Sequence, residues 1–185
     1  MGGYGTLRIG MKPPDRFSAL YAMSSCCLMN NPANGGRGRG GGFATPQQEN
    51  AGRGRGRGGG GGFANVRSAQ TAAWAPNPMN PPEYFDLPVV DGEPQPGVAE
   101  RWVVNSPLVM VDQYVPALKP YTAIALDVGD ADGLAASNRA LDAAFTCLGI
   151  DHTFEVYEGN HGNRVGARFQ ADVLRFFSEN LEFPD

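Results

Sequence analysis

YTAIALDVGDADGLAASNRALDAAFTCLGIDHTFEVYEGNHG, residues 121–162, is the stretch on which the fold turns. Residues 121–128 form a short apolar run of strand length. Over 134–148 the apolar residues Leu134, Leu141, Phe145 and Leu148 fall on one side of a helix, and Gly149 supplies its stop. Residues 152–158 (HTFEVYE) then alternate as a strand does. Strand, helix and strand in that order predict a right-handed crossover between two parallel neighbours.

The flanks extend the same alternation. Residues 3–12 (GYGTLRIGMK) space small and apolar residues as a short helix and then meet Pro13 and Pro14, which cannot continue it. Residues 17–24 (FSALYAMS) read as a buried strand. Ser106 and Pro107 make an N-cap and first-turn pair for a helix whose face carries Leu108, Val111, Tyr114 and Val115 up to Leu118. A last helix over about 163–181 places Val165, Phe169, Val173, Phe176 and Phe177 along one stripe. The whole predicts an α/β fold, with a parallel sheet of about three strands covered by helices on both faces. Residues 75–98 are rich in Pro and Asn and hold one apolar cluster at Tyr84, Phe85, Leu87, Val89 and Val90; this segment reads as ordered but irregular.

Between these parts the composition changes abruptly. The chain has 26 Gly and 15 Pro among 185 residues, about twice the ~12% of an ordinary domain. Fourteen of the glycines lie between Gly35 and Gly62, where GRGRGGGFA (36–44) recurs as GRGRGGGGGFA (54–64). Such sequence buries too little apolar area to offset its ordering entropy, so residues 31–70 are expected to be a flexible loop. The expected organisation is therefore one domain from 1–30 and 75–185, with 31–74 as a low-complexity Gly/Arg-rich insertion. Outside the insertion roughly 140 residues remain, enough for a single core.

Charge follows the same division. Residues 31–70 carry six arginines and one glutamate, whereas the rest of the chain has 9 basic and 18 acidic groups. Only the insertion could attract a polyanion. Its arginines with Phe43 and Phe63 fit sequence-tolerant RNA binding, and an RNA-binding scaffold is the alternative function. The acidic remainder opposes such a partner, which favours a tolerated loop expansion. Gly36, Gly38 and Gly41 formally fit a dinucleotide fingerprint, but no strand precedes them and no helix follows. Met1-Gly2 with Thr6 likewise fits an N-myristoylation pattern by chance. No run approaches the ~18 apolar residues of a membrane span, and no signal-peptide pattern opens the chain, which reads as soluble and cytoplasmic. Cys26, Cys27 and Cys147 make neither a metal spacing nor an even disulfide framework, and read as buried thiols in a reducing compartment.

In open parallel sheets, catalytic groups collect at the carboxyl ends of strands. Two loops sit at such ends: Gly129-Asp130-Ala131-Asp132-Gly133 and Gly159-Asn160-His161-Gly162. A carboxylate on one strand end can hold the tautomer of a histidine on the next, whose other ring nitrogen then deprotonates a nucleophile. Either Asp130 or Asp132 can fill that place. His152, aligned with Phe154 and Val156, reads as structural. None of Ser18, Ser24, Ser25, Ser68, Ser106, Ser137 or Ser178 sits in a G-x-S-x-G turn between strand and helix.

With these residues in place, the sequence resembles bacterial esterases of the α/β-hydrolase superfamily, the group that includes esterase D and S-formylglutathione hydrolase. Met1-Gly2-Gly3-Tyr4-Gly5 is similar to the residues after the nucleophilic serine in an elbow that reads G-H-S-M-G-G-Y-G. DRFSALYAMSS (15–25), the G-x-x-D of Gly129 to Asp132, FEVYEG (154–159) and the His161 turn follow in the same order. The resemblance implies a carboxylic-ester or thioester hydrolase acting through an acyl-serine, with a small-molecule ester substrate and no cofactor or metal. It implies Asp132 as the acid of the triad, with Asp130 as the alternative, His161 as general base, and Met1 as the residue whose backbone position serves the oxyanion hole. It further implies that the chain is the C-terminal part of such an enzyme, beginning one residue after its serine. Alone, it is expected to be inactive and to leave the 17–24 strand with an open apolar edge. Any leader peptide of an exported parent would lie ahead of Met1.

Overall fold

A computed structural model describes residues 2–13, 15–29 and 69–181. Met1 and nearly all of the Gly/Arg-rich insertion lie outside the described residues. The chain divides into two units, one of Met1–Met29 with Ser106–Asp185, the other of Asn30–Asn105.

The first unit is α/β, as the alternation predicts. Helix α1 (Gly2–Met11) leads into strand β1 (Ala19–Met23), which pairs in parallel with β4 (Ala123–Gly129), and β4 pairs in parallel with β5 (Thr153–Tyr157). The sheet order is β1-β4-β5. Alternation along the strands divides the side chains between two faces. On one face Leu20, Ala22, Ile124 and Leu126 pack with Leu7 and Met11 of α1 and with Leu141 and Phe145 in a single core. Leu141 and Phe145 belong to the 135–147 helix, which ends on Gly149 at φ +63°, a left-handed conformation that glycine adopts without strain. Ile150 N–H closes back on Phe145 O at 3.0 Å and Gly149 N–H on Thr146 O at 3.2 Å, a Schellman stop.

Two expected helices are less regular than their apolar spacing suggests. The 106–118 helix is three short turns: α-helical Pro107–Met110, a 3-10 turn at Val111–Tyr114, and α-helical Val115–Leu118. Pro116 explains the break, because it brings no N–H for the fourth carbonyl before it and its ring crowds that carbonyl. The last helix starts at Val165 and passes through a π-helical stretch, Phe169–Val173, before its final turns, Leu174–Asn180. Its apolar stripe is only partly covered: Val173 is buried, while Val165 and Phe169 are exposed.

In the second unit, residues 69–74 are helical, so the expected loop does not extend to 74. Trp74 is buried there, edge-on to buried Trp102 at 4.9 Å between ring centroids, a packing that the glycine count conceals. Trp102 belongs to a helix, Pro96–Val104, opened by Pro96 in its first turn, and strand β2 (Val89–Val90) pairs antiparallel with strand β3 (Glu93–Pro94). Asp91 and Gly92, both at positive φ, make the hairpin turn that an Asp-Gly pair favours. Residues 75–98 are therefore more regular than expected.

Candidate active site

The two loops at the strand ends meet. Gly129 stands opposite Tyr157 in the β4-β5 register, so the chain leaves both strands side by side. Asp130 N–H donates to Tyr157 O at 2.8 Å and Ala131 N–H to Gly159 O at 2.9 Å. A Cβ at Gly129 would press on the Gly159 carbonyl oxygen. Glycine is required there by backbone proximity rather than by its own dihedral angles. Gly129→Ala is expected to push the loops apart and to cost about 1–3 kcal/mol, as overpacking does; equilibrium urea unfolding measures it.

The two aspartates separate into different tasks. Asp132 Oδ2 lies 2.9 Å from His161 Nδ1, while its Oδ1 accepts Leu134 N–H at 2.9 Å. Asp130 Oδ1 instead accepts Gly159 N–H at 2.9 Å and so clamps the histidine-bearing loop. The Asp132 side chain is 2% exposed and that of His161 62%, which puts a buried carboxylate beneath an accessible ring. A carboxylate only accepts, so the proton between them belongs to Nδ1, and Nε2 of the neutral ring carries the free lone pair. The His161 turn is held from within: Asn160 Oδ1 accepts the N–H groups of Gly162 and Asn163, and Asn163 Oδ1 accepts that of Asn160. Met1, expected at the oxyanion position, lies outside the described residues. His152 bridges Ile150 O and Asp142 Oδ1 beside the Phe145 ring, a packing arrangement.

Two features escape the sequence reading. Asn138 is fully buried; its Oδ1 accepts Ser25 N–H while its Nδ2 donates to Ser25 O and Leu134 O, tying the end of β1 to the 135–147 helix. Its position four residues after Leu134 and three before Leu141 put it on the apolar face, which was the available signal. Arg168 gathers a polar cluster on the second face of the sheet. Its Nε donates to Asp127 Oδ2 at 3.0 Å, its terminal nitrogens reach Glu155 and Asp172, and its guanidinium lies 4.6 Å from the Tyr157 ring centre. Burial pushes the Asp127 carboxyl above the ordinary range against the pull of Arg168 and Tyr21.

The cysteines also differ from expectation, because none is buried: Cys26 and Cys27 are half-buried and Cys147 is exposed. Both neighbours follow β1 at its carboxyl end, between buried Ser25 and buried Leu28. The Cys27 thiol lies against Cys26 Sγ, and this neighbour above all lowers the Cys26 thiol below its ordinary value, despite burial. A lowered value means that thiolate appears at lower pH than in an ordinary cysteine, so alkylation of Cys26 by iodoacetamide should rise with a midpoint below ~8.5. In Cys27→Ala the midpoint should move toward the ordinary ~8.5. Peptide-resolved mass spectrometry reads both.

Among the described residues no group of three or more His, Cys, Asp or Glu side chains is placed to hold a metal ion. What the fold and this corner of it define is a mixed α/β protein with a three-stranded parallel sheet flanked by helices, carrying a carboxylate-histidine pair at adjacent strand ends. Among solved structures the chain is similar to a ferulic acid esterase, with a TM-score of 0.55 and 19% sequence identity, over 98% of this chain and 50% of that one. The likeness is one of fold, and the chain spans about half the length of that structure. No protein-family model and no curated protein matches it.

Proposed function

We propose that this chain carries the acid-base half of a serine-esterase active site, acting on carboxylic esters or thioesters through an acyl-serine. The supporting observation is the buried Asp132 carboxylate on Nδ1 of an exposed His161, at 2.9 Å. With Nδ1 fixed, Nε2 is the nitrogen that can take a proton from an attacking hydroxyl and return it to the leaving alcohol or thiol. Asp132 orients the ring and stabilises the imidazolium that forms. Asp130 acts one step back, by fixing Gly159 and with it the loop on which His161 stands. The resemblance places the serine directly ahead of Met1, and among the described residues no serine stands in a strand-to-helix elbow.

The test is to supply that serine. The chain extended by Gly-His-Ser directly ahead of Met1 is expected to take up a fluorophosphonate probe at the added serine, and the unextended chain is expected not to. No labelling of the extended, folded chain would contradict the proposal. So would hydrolysis by the unextended chain that disappears in Cys26→Ser, which would move the nucleophile to Cys26.

A further inference from the structure

The adjacent thiols Cys26 and Cys27 take no part in the reaction proposed above, yet the fold sets them as a pair. Both are half-buried. In an extended chain successive side chains point to opposite sides. Cys27 instead stands at φ +64°, outside the strand conformation, and its sulfur lies against Cys26 Sγ. A non-glycine residue rarely takes that conformation unless its surroundings impose it. Here both flanks are pinned. Ser25 N–H and O are bonded to the Asn138 side chain, and Leu28, 1% exposed, accepts Leu108 N–H at 3.0 Å through its carbonyl. The two sulfurs are thereby held close.

The third cysteine stands apart. Asn138 meets Ser25, and Cys147 lies nine residues farther along the same helix, roughly 14 Å at ~1.5 Å per residue. That exceeds the ~7 Å between Cα atoms that a disulfide can span. A disulfide within one chain would therefore join Cys26 to Cys27. Cys27 above all, and with it the charge of His161, also lowers the Cys26 thiol against the effect of burial, which favours the reactive thiolate. A half-buried thiolate beside a second thiol is the arrangement in which a first oxidation product is resolved before it goes further.

We propose that Cys26 and Cys27 form a reversible oxidation site for hydroperoxides, closing to a disulfide between adjacent residues. The Cys26 thiolate attacks one peroxide oxygen, the O–O bond breaks, and the departing hydroxide takes up the proton that Cys26 lost, as water. Cys27 sulfur then attacks the Cys26 sulfenic acid. The S–S bond forms, the S–O bond breaks, and hydroxide leaves with the Cys27 proton as a second water. The two sulfurs together give up two electrons, and the peroxide gains them. Adjacent Cα atoms stand about 3.8 Å apart across this trans peptide, less than the ~4.4–6.8 Å of ordinary bridges. The closed ring is therefore strained and returns readily to thiols, as labile disulfides do. The site stands whether or not the esterase reading holds.

The test treats the full chain at pH 7 with a small excess of hydrogen peroxide, alkylates it with iodoacetamide and reads it by peptide-resolved mass spectrometry. The peptide with Cys26 and Cys27 is expected to lose two hydrogens and accept no alkyl group, while Cys147 is alkylated as before. Dithiothreitol should restore both alkylation sites. Closure is expected about tenfold faster in the folded chain than in urea, where the neighbours that favour thiolate are lost. Cys27→Ser should leave a Cys26 sulfenic acid that dimedone traps and that the unaltered chain does not accumulate. Sulfinic acid at Cys26 with Cys27 still alkylated, a disulfide to Cys147 or to a second chain, or equal rates in the folded and unfolded chain would overturn the proposal.

Discussion

Glutamine in place of His161 is expected to lower kcat for p-nitrophenyl acetate by about a thousandfold or more in the chain that carries a serine directly ahead of Met1. Glutamine keeps a polar side chain of similar reach at an exposed position, so the fold should be untouched. What it removes is the one group placed to accept the serine proton. A change confined to KM would show that His161 binds substrate without taking a proton, and would contradict the role given to Nε2. Asp132→Asn should give a comparable loss for a different reason. An amide can turn an N–H toward Nδ1, which stabilises the ring tautomer with its proton on Nε2, where a base is needed.

The largest expected loss of stability comes from Arg168→Met, at about 3–5 kcal/mol, because removing one member of a buried pair strands the other. Asp127 is that stranded partner: its side chain is fully buried, its Oδ2 rests on Arg168, and its Oδ1 has no hydrogen-bond partner. Glu155 and Asp172 are partly in solvent and lose little. For a chain of this size the melting temperature should fall by about 10 °C. Adding Asp127→Asn should recover a substantial part of the loss, since it removes the uncompensated charge. A double variant no more stable than Arg168→Met alone would show that Arg168 acts through packing on Tyr157 rather than through Asp127.

The strands were legible because each is a short apolar run closed by turn residues, and the candidate site was legible because its loops follow two of those runs directly. Choosing between Asp130 and Asp132 needed the structure. Both stand in the same loop, and only the cross-loop bonds to Tyr157 and Gly159 show that one aspartate clamps the backbone while the other meets the ring. Other misses were local and avoidable. Asp91-Gly92 between short apolar and extended residues is a hairpin signal, and Pro116 four residues after Asp112 forbids one continuous helix. Arg168 is a different case. Asp127 within an apolar strand does announce that a buried carboxylate needs a partner, but nothing in the order of residues says that the partner lies 41 positions on, across the sheet face. The apolar stripe of the last helix was legible and its half-exposure was not, because periodicity reports that a face is apolar and not what covers it.

The pairing of Asp132 with His161 is most directly tested by long-range proton-nitrogen correlation NMR on the imidazole of the unextended chain. Under conditions where the ring is neutral, the proton is expected on Nδ1, with Nε2 showing the shift of an unprotonated nitrogen, and Asp132→Asn is expected to reverse the two. A proton on Nε2 in the unaltered chain would contradict the assignment of His161 as the general base.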